Sequence, residues 1–217
     1  MLKRVNYINL AFLATAISAV TFASPLAATE APIACTVVGI NHSAWTTAQG
    51  ESVKRSAKVG DQLKEGDYIE LRAGNYVQLA FDQALNNVVH VEGPARLRVK
   101  IDRVIEVALD KGKAFAILDK LENVRGFEIS TPHSVASVRG TVFQVNADDA
   151  ATQTMLYHGA VQVFGVTRGT KDFGRDVEIF PGERVQANAS GTNIGKPGKP
   201  RLMSRDEFGE IHRVIGL

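Results

Sequence analysis

One pattern recurs along most of this chain and restricts what it can become. An apolar residue is followed by two others, a glycine, and then alternating apolar residues. It occurs at Leu63-x-x-Gly66, Leu71-x-x-Gly74, Leu109-x-x-Gly112, Leu156-x-x-Gly159 and Ile179-x-x-Gly182. After Gly74 come Tyr76, Val77, Leu79 and Phe81, and after Gly159 come Val161 and Val163. A period of two marks a half-buried strand, and glycine takes the backbone angles that tight turns demand. Each unit therefore predicts strand, turn, strand. The units are unequally spaced, so this is no fixed-period repeat. Between them lie Val88, Val89 and Val91, then Leu97, Val99 and Ile101, then Val104, Ile105, Val107 and Leu109. These β-branched groups suit a pleated surface, and Gly93-Pro94 is predicted to turn the chain between the first two. Residues 35–190 contain no amphipathic helical stretch of real length. The expected fold is all-β: a twisted solenoid-like or sandwich-like coil of short strands joined by glycine turns, with a short C-terminal helix.

Residues 127–145 are the centre of this pattern. Phe127 and Ile129 alternate with polar neighbours, and Pro132, which lacks a ladder donor, ends that strand. Ala136 and Val138 continue on a second strand. After Gly140 the apolar positions Val142, Phe143 and Val145 change phase. A phase change at glycine predicts a bulge or sharp bend. Arg139 has two readings. It is either a buried guanidinium fork tying strand-end carbonyls together or a group that faces a partner, and the structural reading is adopted.

The Ser130-Thr131-Pro132 step followed by Val138-Arg139-Gly140-Thr141-Val142-Phe143 resembles the signature of the FecR domain family. The resemblance runs over roughly residues 58–187. It takes in Gly60-Asp61-Gln62-Leu63, Gly66-Asp67-Tyr68-Ile69, Gly74-Asn75-Tyr76-Val77, Leu156-Tyr157-His158-Gly159-Ala160-Val161 and Pro181-Gly182-Glu183. It implies a solenoid-like domain and a structural signature of Thr131, Pro132, Arg139, Gly140, Thr141, Phe143, Gly159 and Gly182. It implies no common chemistry. Some members of the family belong to iron-transport regulators, which pass a receptor's state to a sigma factor.

Residues 1–28 read as a signal peptide, with Lys3 and Arg4 before an apolar run over residues 10–22 and small residues Ala23, Ala27 and Ala28 at the exit. The run is short for a membrane span, which needs about 20 apolar residues. The expected location is periplasmic, with no stable span after cleavage. Without Lys3 and Arg4 the 25 basic residues become 23, equal to the 23 acidic ones. A neutral chain has no electrostatic footprint for nucleic acid. The single cysteine, Cys35, forms no internal disulfide. Pro32 departs from a lipobox, so a small buried thiol is preferred to lipidation. At the other end, residues 187–200 have linker composition, and the 191–217 segment is read as linker plus helix. Ser204-Arg205-Asp206-Glu207 spells a capping box, with Phe208, Ile211 and Ile215 on one face of the helix that follows.

Chemistry is sparse. There is no Gly-x-Ser-x-Gly elbow, Walker loop, dinucleotide fingerprint or His-Glu-x-x-His. His42, His90, His133, His158 and His212 are scattered, and His133 and His158 suit turns. Asp148-Asp149 reads as a turn pair, too poor in oxygen ligands for calcium. No catalytic residue, metal or cofactor is expected. The primary expectation is an exported, non-catalytic β-domain that binds an envelope protein or cell-wall component. The alternative is a FecR-type regulator of transmembrane signalling. It ranks second because only about 20 residues precede the end of the apolar run, whereas a folded cytoplasmic segment needs on the order of 50.

Overall fold

The computed structural model describes residues 34–119, 124–166, 173–188, 196–197 and 201–202. The leader and the capping-box helix lie outside the described residues. In chain order the strands are β1 (Cys35–Asn41), β2 (Ala44–Thr47), β3 (Arg55–Ser56), β4 (Gln62–Leu63), β5 (Tyr68–Leu71) and β6 (Tyr76–Ala80). Next come β7 (Asn87–Ile101), β8 (Val104–Leu118), β9 (Gly126–Ser130), β10 (Ser134–Val138), β11 (Val142–Ala147) and β12 (Ala151–His158). The last are β13 (Val161–Val166), β14 (Phe173–Ile179), β15 (Glu183–Asn188), β16 (Lys196–Pro197) and β17 (Arg201–Leu202). No helix occurs among the described residues. β16 and β17 lie inside or just beyond the stretch of linker composition, and both pair with β15.

Two strands are long. β7 and β8 have 15 residues each and form one antiparallel hairpin. The turn expected at Gly93-Pro94 is absent, because both residues lie inside β7. The register against β8 shifts there, between Glu92 and Arg96. A proline is tolerated within a strand at such an irregularity, since no ladder bond requires its missing N–H. Gly112 likewise lies inside β8 and not at a turn. A Cβ on Gly112 would stand 2.5 Å from that of Ala95, so the two strands approach where the hairpin bends. The buried positions of β8 change phase across this point, from Ile105, Val107 and Leu109 to Ala114, Ala116 and Leu118. One extra residue at a bulge produces that change.

The bend divides the strands into two branches. In the first, the start of β7 pairs with β6, β6 with β1, and β1 with β4. The end of β8 pairs with β11, followed by β12 and β15. In the second, the end of β7 pairs with β5, followed by β2 and β3. The start of β8 pairs in parallel with β9, followed by β10, β13 and β14. The chain crosses repeatedly between branches, as from β4 to β5 to β6 and from β10 to β11. That winding is the coil expected of the glycine-punctuated pattern. Both branches bury side chains in one core. Leu79, Val91, Phe143 and Leu156 come from the first branch, and Ile69, Leu97, Ile129 and Val163 from the second. The rings of Phe81 and Phe127 meet edge to face with centroids 5.3 Å apart. Each fully buried side chain of this kind contributes about 1.5–3 kcal/mol. Cys35 is also in this core, and burial pushes its thiol up to about 12.

Candidate functional site

Five of the signature residues, Thr131, Pro132, Arg139, Gly140 and Thr141, fall on two turns that flank β10. The first follows β9. Thr131 N donates to the Ser134 carbonyl at 2.8 Å, which closes a tight turn around Pro132. Thr131 Oγ1 accepts from the amides of Ser134 at 3.0 Å and His133 at 3.3 Å. It also lies 2.8 Å from Thr152 Oγ1 on β12. His133 Nδ1 lies 3.3 Å from the same hydroxyl, and the His133 carbonyl accepts from Val166 N at 3.0 Å. Thr131, His133, Ser134 and Thr152 are all buried, while Pro132 is exposed. A turn in the second branch is thus tied to a strand of the first by hydroxyls. His133 is part of this tie, in the manner of a turn histidine. Nearby, Asp148 accepts from the amides of Ala150 and Ala151 at 2.8 Å each, and these bonds hold its carboxyl below the usual carboxylate range.

The second turn joins β10 to β11 and carries the chain from one branch to the other. Gly140 has φ +67°, the left-handed region that favours glycine. Thr141 is fully buried. Its amide donates to the Leu118 carbonyl at 2.8 Å, and Leu118 N donates back at 3.0 Å. Its hydroxyl donates to the Ala160 carbonyl at 3.2 Å. Gly159, with φ +91°, packs against this turn, and a Cβ there would lie 2.6 Å from the Gly140 carbonyl oxygen. Phe143 enters the core, and Gly182 N donates to the Leu156 carbonyl at 2.8 Å. Gly140, Thr141, Phe143 and Gly159 therefore form one packed unit, joined to Gly182 through β12.

Arg139 departs from expectation. Its side chain is exposed and is not a buried fork. The reason is strand parity. Val138 points into the core, so residue 139 points out, and the left-handed step at Gly140 turns the chain before that orientation can reverse. Arg139 borders a depression of about 350 Å³ lined by Arg125, Gly126, Ser137, Ala160, Gln162 and Glu178. Gln162 Nε2 donates to Asp176 on β14 at 2.6 Å. Two guanidinium groups at one rim offer planar donor forks to carboxylates or carbonyls of a docked chain. Arg125 and Glu178 carry no local sequence signal. The β9–β10 pairing brings Arg125 to Arg139, and the β10–β13 and β13–β14 pairings bring Glu178.

A larger groove of about 510 Å³ lies at the hairpin bend, and no serine, cysteine or histidine lines it. Among the described residues, no group of three or more His, Cys, Asp or Glu side chains could hold a metal ion. The described surface thus presents donors and shape around Arg139.

Residues 67–162 match the model of the family described as FecR protein. No curated protein matches the chain. Two crystal structures of a provisionally assigned anti-sigma factor from Parabacteroides distasonis ATCC 8503 share the fold. Each is 19% identical with a TM-score of 0.51, over 65% of this chain and 62% of that one. The chain therefore spans less than two thirds of the length of the structures it matches. The matched span contains the bent hairpin, both signature turns and the start of β13, and over residues 67–162 this chain is similar to the FecR family.

Proposed function

We propose that this protein is a non-enzymatic regulator of signalling in the cell envelope, and that its FecR domain engages a partner protein through the surface around Arg139. The observation that carries the reading is the FecR match over residues 67–162. The fold shared with a provisionally assigned anti-sigma factor supports the same class. This places regulation ahead of the simpler expectation of an envelope-binding domain. The exposed Arg139 supplies the contact. The buried residues of its motif hold a rigid turn, and the one charged residue among them projects from it. Residues 1–28 supply export to the periplasm in this reading.

The test uses the full chain in its own cells. Deleting the gene should change the transcripts of a defined set of genes, and the wild-type chain should restore them. Arg139→Glu should accumulate normally and fail to restore them. A photo-crosslinker at Ser137 should capture one envelope protein, and the capture should be lost with Arg139→Glu. An unaltered transcript profile on deletion would remove the regulatory reading. Full restoration by Arg139→Glu would remove the surface. A purified protein that still began at Met1 would remove the export step.

A further inference from the structure

Three arginines end neighbouring strands at one end of the second branch. The register sets Val104 beside Gly126 and Phe127 beside Val138. Arg103, Arg125 and Arg139 stand just outside these pairs, and the Arg125 amide donates to the Arg103 carbonyl at 2.7 Å. All three side chains are exposed. Among the described residues, none of the three has an ion pair, a side-chain hydrogen bond or an aromatic ring against it. Arginines elsewhere are occupied: Arg55 by Glu51 at 2.8 Å, Arg96 by Asp110 at 3.6 Å, Arg72 by the Trp45 ring and Arg98 by the Tyr68 hydroxyl. Glu178 lines the depression beside Arg125 and Arg139 without pairing with either. It stands on β14, two strands from β10. At the other end of the row, Asp102 precedes Arg103 in the β7–β8 turn and is exposed.

The shape of this end shows what it can hold. Behind Arg125 and Arg139 lies a cleft lined by Leu118, Phe127 and Val138, with a volume of about 20 Å³. That is room for roughly one water molecule and too little for a large apolar anchor. Recognition at this end therefore rests on charge, which governs specificity and association rate. Neighbouring strands lie about 4.8 Å apart, so the three backbone positions span roughly 10 Å. Alternate side chains of an extended segment share one face at a spacing of roughly 6.6 Å, so carboxylates at every second residue match a row of that length. Asp102 and Glu178 bracket the row. A broad anionic layer would meet repulsion at both ends, whereas one strand-wide segment would not. We propose that the partner presents an extended acidic segment, with carboxylates at alternate residues, to Arg103, Arg125 and Arg139. The proposal rests on the reading of this surface as a partner site and names the chemistry that the site takes.

The probe is a fluorescent peptide with three glutamates at alternate positions, titrated into the purified full-length protein and read by anisotropy. Wild type should bind it. The affinity should fall at least tenfold between about 0.1 and 1 M salt, as the Debye length shortens from about 10 to about 3 Å. Arg103→Gln, Arg125→Gln and Arg139→Gln together should weaken binding at least tenfold, and Arg103→Gln alone at least threefold. Arg55→Gln should leave binding unchanged, because Arg55 already has Glu51. Thermal melts should match for all variants, since exposed substitutions change stability little. Should the triple variant unfold, Arg103→Gln and the salt dependence decide the matter. No binding by wild type, unchanged binding by the arginine variants, or equal binding of a peptide with glutamine in place of glutamate would overturn the proposal. So would preference for phosphatidylglycerol vesicles over the peptide, which would make the ligand a membrane. Such a failure, with an envelope protein still captured by the crosslinker at Ser137, removes the acidic segment and leaves the regulatory reading standing. A bound peptide without that capture removes the regulatory reading instead.

Discussion

Thr131 and Arg139 flank the same strand, β10, and share little else. Thr131 is buried, and its hydroxyl serves two backbone amides and a hydroxyl on the opposite branch. Arg139 is exposed at the rim of a depression. Both belong to the signature, so a signature does not mark a single role. One half of it closes the fold, and the other uses that closure as a platform. The distinction is physical. A buried hydroxyl has no water to fall back on if a partner is lost, whereas an exposed guanidinium stays solvated whatever happens nearby.

Substitutions can break this comparison, and the largest effect should come from Gly159→Ala. The new Cβ meets the Gly140 carbonyl oxygen at 2.6 Å, and φ is +91°. Strain and overpacking together should cost about 2–4 kcal/mol, read as a shift in the urea midpoint. Wild-type stability would mean that the Arg-Gly-Thr turn is not pinned from below. Thr131→Val keeps the shape and removes the acceptor for the amides of His133 and Ser134. The expected loss is about 2–3 kcal/mol, and Thr131→Ser should recover most of it. If valine is tolerated as well as serine, packing and not the hydroxyl holds this turn.

Gly140→Ala is the finer probe, because nothing lies within 4 Å of the added Cβ. Only the left-handed backbone penalty remains, about 1 kcal/mol, and thermal melts would resolve it. The smallest stability effect belongs to Arg139→Ala, which should stay within about 0.5 kcal/mol of wild type, as exposed substitutions do. Its effect should appear instead in partner capture. A melting loss as large as that of Thr131→Val would restore the structural reading of Arg139 and end the contrast.

The sequence alone carried the fold class, because alternation and glycine spacing are local and survive any tertiary arrangement. It carried the bend at Gly140 for the same reason: a change in apolar phase is visible without a partner strand. Tertiary structure decided the rest. Gly93-Pro94 and Gly112 look like turns in one dimension, but they are irregularities in a continuous hairpin, since the residues that suit a turn also suit a bulge. Arg139 turned outward by the parity of its strand, and only the pairings between strands decided which groups stand beside it there. Thr131 met Thr152, and Arg139 met Arg125 and Glu178, through pairings between strands far apart in the chain. Phe115, Gln144 and Met155 alternate with core residues and are buried as well. Alternation along a strand identifies two faces, and only the folded chain decides whether one of them or both will be covered.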